Sequence, residues 1–109
     1  MKIMIPSRGD KLDSLMDERY GRAAYFIIYD TNTNSFEAIK NPYLNDRGGV
    51  GVSVAKLCVE KGADAAVAEH FGPNTLEILK PANVKLFQAS GEAVKDIVNK
   101  LQNGSLKEF

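Results

Sequence analysis

The chain has 109 residues, 44% hydrophobic and 26% charged, and its 14 basic side chains balance 14 acidic ones. One core with a radius of gyration of ~13 Å suits that length, so one domain over residues 1–109 is expected, and zero formal charge excludes a broad basic face for nucleic acid. The single cysteine, Cys58, excludes an internal disulfide framework and an all-cysteine zinc or iron–sulfur cage, and no apolar run approaches the roughly 20 residues that cross a bilayer.

The opening MKIMIPSRGDKLDS carries Lys2 and Arg8 and lacks the apolar core of a signal peptide, which makes a cytoplasmic protein the expectation. Lys2–Pro6 reads as a short strand, followed by a charged stretch from Ser7 to Arg22. Ala23–Asp30 (AAYFIIYD) is aromatic and β-branched, the composition of a strand. Thr31–Asn34 is turn chemistry, because Asn tolerates left-handed backbone, and Ser35–Lys40 returns as the second arm of a hairpin. Asn41–Gly51 is the longest loop.

From Val50 to Lys61 the spacing becomes helical, with Val50, Val54, Leu57 and Cys58 on one face and Gly62 as C-cap. Ala65–Ala68 is a wholly apolar strand suited to burial on both faces. Gly72-Pro73 opens a second helix that Pro81 ends. Val84–Gln88 is a strand, and Ser90 is placed to cap a third helix carrying Val94, Ile97, Val98 and Leu101, with Gly104 closing it.

The order β-β-β-α-β-α-β-α predicts an α/β fold with a five-stranded mixed sheet in the order 3-2-1-4-5, strand 2 antiparallel, and three helices. That direction of strands gathers Ser7-Arg8-Gly9, Tyr20-Gly21-Arg22, Asn45–Gly51, His70-Phe71-Gly72 and Ser90-Gly91 along one edge. Ligands of open α/β sheets bind outside the carboxyl ends of the strands. Helix starts near Gly49, Gly72 and Gly91 offer free N–H groups to an anion, and Arg8, Arg22 and Arg47 add charge.

Each of these residues also has a plainer reading. Gly9, Gly21, Gly48, Gly49, Gly51 and Gly72 are individually ordinary loop glycines, and it is their convergence that points to a site. His70, the sole histidine, is placed to ligate a metal or donate to an anion, or is an exposed loop residue. Cys58 on an apolar helix face reads as a buried inert thiol. Asp10, Asp13, Asp17 and Glu18 lack the spacing of a calcium loop and read as a solvated loop. Tyr25 and Tyr29 share a strand face and read as packing residues. No catalytic set emerges, and GGVG before the first helix is neither a Walker loop nor a dinucleotide fingerprint.

Together, MKIMIPS, LDSLMDERYGRAAYFIIYD, NPYLNDRGGVG, KGADAAVAEHFGPNTLEILKPANVKLF and SGEAVKDIVNKL resemble the dinitrogenase iron–molybdenum cofactor biosynthesis family over nearly the whole chain. The family's His-Phe-Gly-Arg, Gly-rich and Gly-Pro-Asn-Ala motifs stand here as Arg19-Tyr20-Gly21-Arg22, Gly48-Gly49-Val50-Gly51 and Gly72-Pro73-Asn74-Thr75. The resemblance implies a ribonuclease H-like three-layer fold. It implies carriage of an iron–molybdenum cofactor or related iron–sulfur cluster, with metallocluster donor or acceptor proteins as partners; it does not imply catalysis, and a non-enzyme is expected. It adds Asn74 to the edge residues, and Arg19 departs from the family's histidine.

Two other readings belong to different classes. A ribonuclease H-like nuclease needs clustered carboxylates around two metal ions, and the first strand, KIMIP, has none. A non-enzymatic regulatory or interaction domain would bind a small anion or a protein partner at the same helix starts, as a monomer or an oligomer.

Overall fold

A computed structural model describes residues 1–109. The central strand β1 (Lys2–Ser7) pairs antiparallel with β2 (Tyr25–Asp30), which pairs antiparallel with β3 (Ser35–Lys40). On its other side β1 pairs in parallel with β4 (Ala65–Ala68), and β4 with β5 (Lys85–Gln88). The expected order 3-2-1-4-5 therefore stands, and it is extended by β6 (Lys107–Glu108), which lies antiparallel on β5 and makes the sheet six-stranded. Two exposed charged residues carry no hydrophobic period, so β6 exists only because the edge of β5 offers it a ladder.

Helices α1 (Val50–Glu60) and α2 (Pro73–Leu79) cover one face, and α3 (Val94–Gln102) covers the other. The result is three layers with two cores. One core joins Met4, Phe26 and Ala66 to Val54, Cys58 and Leu79; the other joins Ile3, Ile5, Ile27 and Val67 to Val94, Ile97 and Val98. The alternation along β1 explains the split, since successive side chains point to opposite faces. β4 is fully buried along its length, as its all-apolar sequence requires.

Chain reversals follow local chemistry. Asn34 takes a left-handed φ of 54° in the β2–β3 hairpin. Gly62, at φ 71°, ends α1 with its N–H donating to the Val59 carbonyl and that of Ala63 to Cys58. Ser90 does not cap α3. The N-cap is Ala93, and the N–H groups of Val94 and Lys95 donate to the carbonyls of Ser14 and Leu12. Backbone of the 11–14 loop thus does the work expected of a side-chain cap.

Candidate functional site

The five loops do lie at one edge of the sheet, but they divide there into separate environments. The 8–16 loop folds over the start of α3. Arg8 donates to the Leu15 carbonyl through its backbone and pairs with Glu18 at 2.6 Å through its guanidinium. Gly9 sits so close to Ser14 that a Cβ would stand 2.5 Å from its Oγ. With its first N–H groups bonded to this loop, α3 has no free amides there to offer a ligand.

Asp17 corrects the reading of the acidic cluster as a solvated loop. Asp10, Asp13 and Glu18 are exposed, but Asp17 is only 1% exposed. Its carboxylate accepts from the Arg19 backbone N–H at 3.0 Å, from Nε at 3.1 Å and from a terminal guanidinium nitrogen at 3.0 Å. Burial alone would raise its pKa; the Arg19 hydrogen bonds and the charges of Arg19 and Arg8 outweigh that and hold the carboxyl below its ordinary value. Arg19, 66% exposed, is thereby fixed at the entrance to a 3₁₀ turn, Tyr20–Arg22.

That turn crosses the beginning of α1. A Cβ on Gly21 would stand 2.7 Å from Val50 Cγ2 and 3.1 Å from the Gly51 nitrogen. Only glycine allows this approach without moving the helix backbone. Arg22 donates to the Leu44 carbonyl at 2.9 Å and so ties the turn to the long loop. Asn41, 4% exposed, is the stronger tie. Its amide donates to the carbonyls of Ala23 at 2.8 Å and Gly21 at 3.2 Å, and its Oδ1 accepts from the Tyr43 N–H at 2.8 Å. Sequence reasoning missed Asn41; the only available signal was its position before Pro42.

Behind the turn, Tyr20 is 7% exposed and packs edge-on against Phe71 with ring centroids 5.3 Å apart. Its hydroxyl is buried with no hydrogen-bond partner. Burial, and then the proximity of Cys58, push the phenol pKa up. Cys58 is itself fully buried, and burial pushes its thiol up to about 12. Cys58 lines neither the groove between α1 and α2 nor the His70 cavity, so its sulfur is presented to neither.

The starts of α1 and α2 come together in a groove of ≈ 280 Å³ lined by Gly49–Val52 and Gly72–Thr75. Gly51 is what lets them approach: a Cβ there would stand 2.8 Å from Thr75 Oγ1. Gly49 caps α1 in left-handed conformation, φ 68°. The N–H groups of Val50, Gly51 and Val52, and those of Asn74 and Thr75, have no acceptor in the chain, whereas Ser53 and Leu76 already bond back to Gly49 and Gly72. The groove is therefore a wall of unpaired donors at converging helix starts, the arrangement that suits an anion. Its residues include Gly49, Gly51, Gly72 and Asn74 from the sequence expectation, with Tyr20, Gly21 and Arg22 supporting it from behind. Gly48 lies beside Gly49 with nothing within 4 Å of its Cβ position.

His70 lines a different cavity, on the β5 side of α2. No group of three or more His, Cys, Asp or Glu side chains comes together anywhere in the chain. No helix is long and apolar enough to cross a membrane.

Known proteins resemble this chain in shape and in sequence. The apo form of the orange protein from Desulfovibrio gigas superposes with a TM-score of 0.93 at 28% identity, covering 99% of this chain and 92% of that one. A candidate NifB protein from Thermotoga has a TM-score of 0.84 at 36% identity, covering 98% and 91%. An uncharacterized protein of Methanocaldococcus jannaschii is 24% identical over 112 aligned positions, covering all of this chain and 92% of the relative. The model of the family described as dinitrogenase iron–molybdenum cofactor matches residues 1–104. The arrangement of strands, the glycine-lined edge and that match agree, and this chain belongs to the dinitrogenase iron–molybdenum cofactor family.

Proposed function

We propose that this protein binds an anionic metal–sulfur cluster, an iron–molybdenum cofactor or a related iron–sulfur species, as cargo in the groove between α1 and α2. It hands the cluster between donor and acceptor proteins in the cytoplasm and catalyses no reaction. The observation that carries this reading is the set of unpaired N–H groups at Val50, Gly51, Val52, Asn74 and Thr75 around a glycine-lined groove. Family membership supports the cargo class, and the similar orange protein has a form described as apo, hence a loaded state.

The donor set fits an anion held by hydrogen bonds and not one held by a ligand cage. Cys58 is buried and protonated, and no trio of ligating side chains exists. Backbone N–H groups at a helix start are preorganised and cost little reorganisation when the anion arrives. They also form no coordinate bond that must break at transfer, which suits a carrier. Arg47 is exposed in the loop entering α1, two residues before Gly49, and Arg19 is held in place by Asp17. His70 lies outside this groove and makes no coordinate bond to cargo held there.

The test is an anaerobic titration with tetrathiomolybdate, a stable molybdenum–sulfur anion, with inorganic phosphate as competitor. Saturable binding of one anion per chain that phosphate does not displace supports cluster carriage. Displacement by phosphate at comparable concentration supports the small-anion reading instead. A folded protein with no affinity for either removes the groove as a binding site.

A further inference from the structure

We infer that the cavity between α2, β5 and β6 is a second binding site, for a small carboxylate that bears an aromatic or branched aliphatic group. The cavity measures ≈ 350 Å³ and is lined by His70, Phe71, Leu76, Lys80, Leu86 and Phe109. It shares no lining residue with the groove of the proposed cargo site.

The walls set the apolar half of the ligand. Leu76 and Leu86 contribute aliphatic surface, and Phe71 is held edge-on between Tyr20 at 5.3 Å and Phe109 at 5.4 Å, which fixes one aromatic wall. Phe109 is 56% exposed although its N–H is bonded to the Leu86 carbonyl at 2.9 Å. Backbone pairing on β5 therefore holds a large ring half-covered at the cavity, where a second apolar group would complete its burial. A mostly apolar cavity of this size with a few polar groups is the usual form of a small-molecule site.

The rim sets the polar half. His70 and Lys80 are both exposed, and neither side chain makes a hydrogen bond or ion pair within the chain. No Asp or Glu side chain lines the cavity. A Lys ammonium and an imidazole above an apolar floor match a carboxylate attached to an apolar group; a bare inorganic anion would leave the floor unused. The segment that supplies Phe109 lies beyond the residues matched by the family model, which end at 104, so the site depends on a feature of this chain that the family match does not cover.

The test uses 3-phenylpropionate, its uncharged amide 3-phenylpropionamide, and acetate, titrated into the full chain and followed by calorimetry and backbone amide shifts. The acid should saturate, with the amide and acetate each weaker by about tenfold or more. Shifts should centre on Leu76, Lys80, Leu86 and Phe109 and spare Gly49–Val52. Lys80→Gln and His70→Gln should each weaken the acid by roughly threefold to tenfold and leave the amide unchanged. Equal affinity for acid and amide, perturbation of the α1 groove instead, or no saturation at millimolar acid would each overturn the inference.

Discussion

Removing one oxygen from the core should stabilise this protein. The Tyr20 hydroxyl is buried without a partner, and such a group forfeits its hydration for nothing, at a cost of about 1–3 kcal/mol. Tyr20→Phe keeps the ring and its edge contact with Phe71 at 5.3 Å. The space vacated is about one oxygen atom, and at ~24 cal/mol per Å³ of cavity this returns only a few tenths of a kcal/mol. The net gain is about 1 kcal/mol or somewhat more, which raises Tm by roughly 4–8 °C in a domain near this size. Thermal unfolding followed by circular dichroism, with a urea titration to confirm an unchanged m-value, measures it. Most substitutions destabilise, so the sign alone is informative. A lower Tm for Tyr20→Phe would refute the reasoning and show that the hydroxyl is bonded in solution.

Three further outcomes are expected. Burial pushes the Cys58 thiol from its ordinary 9.0 up to about 12, so its neutral form is favoured in the folded state; that contribution is complete below pH 9 and is lost as pH rises towards 12. The unfolding free energy from urea titrations should fall between pH 9 and 10 with a slope approaching ~1.4 kcal/mol per pH unit, and Cys58→Ala should flatten that slope. Asn41→Ala leaves the Ala23 carbonyl and the Tyr43 N–H without their partner and should cost about 2–3 kcal/mol in urea unfolding. Gly21→Ala forces a Cβ to within 3.1 Å of the Gly51 nitrogen and should cost about 1–3 kcal/mol, while Gly48→Ala, with open space around it, should stay within about 0.5 kcal/mol.

The sheet was readable because its strands announce themselves by composition. AAYFIIYD and AAVA have only one role in a sheet this small, and the switch to helical spacing after Gly49 and Pro73 fixes the parallel crossovers. Boundaries moved little: the expected strand from Ala23 begins at Tyr25, and the helix expected from Gly72-Pro73 ends at Leu79. What stayed hidden depends on distant partners. β6 is created by the edge of β5, the start of α3 is satisfied by carbonyls some 80 residues earlier in the chain, and Asp17 is buried because Arg19 turns back onto it. The glycine edge was legible as a set of loops. Its division into an amide-lined groove and a separate His70 cavity was not, because one residue, Phe71, buried between Tyr20 and Phe109, holds His70 and Gly72 on different sides.

The most direct test of the account is to fill the groove without disturbing the fold. Gly72 has ordinary extended backbone, and a Cβ there meets nothing within 4 Å, so Gly72→Val should leave Tm nearly unchanged. Amide shifts of the wild-type chain on addition of tetrathiomolybdate should centre on Val50, Gly51, Val52, Asn74 and Thr75, and Gly72→Val should weaken binding by about tenfold or more. Undiminished binding by the folded variant, with shifts elsewhere in the wild type, would contradict the placement of the cargo between α1 and α2.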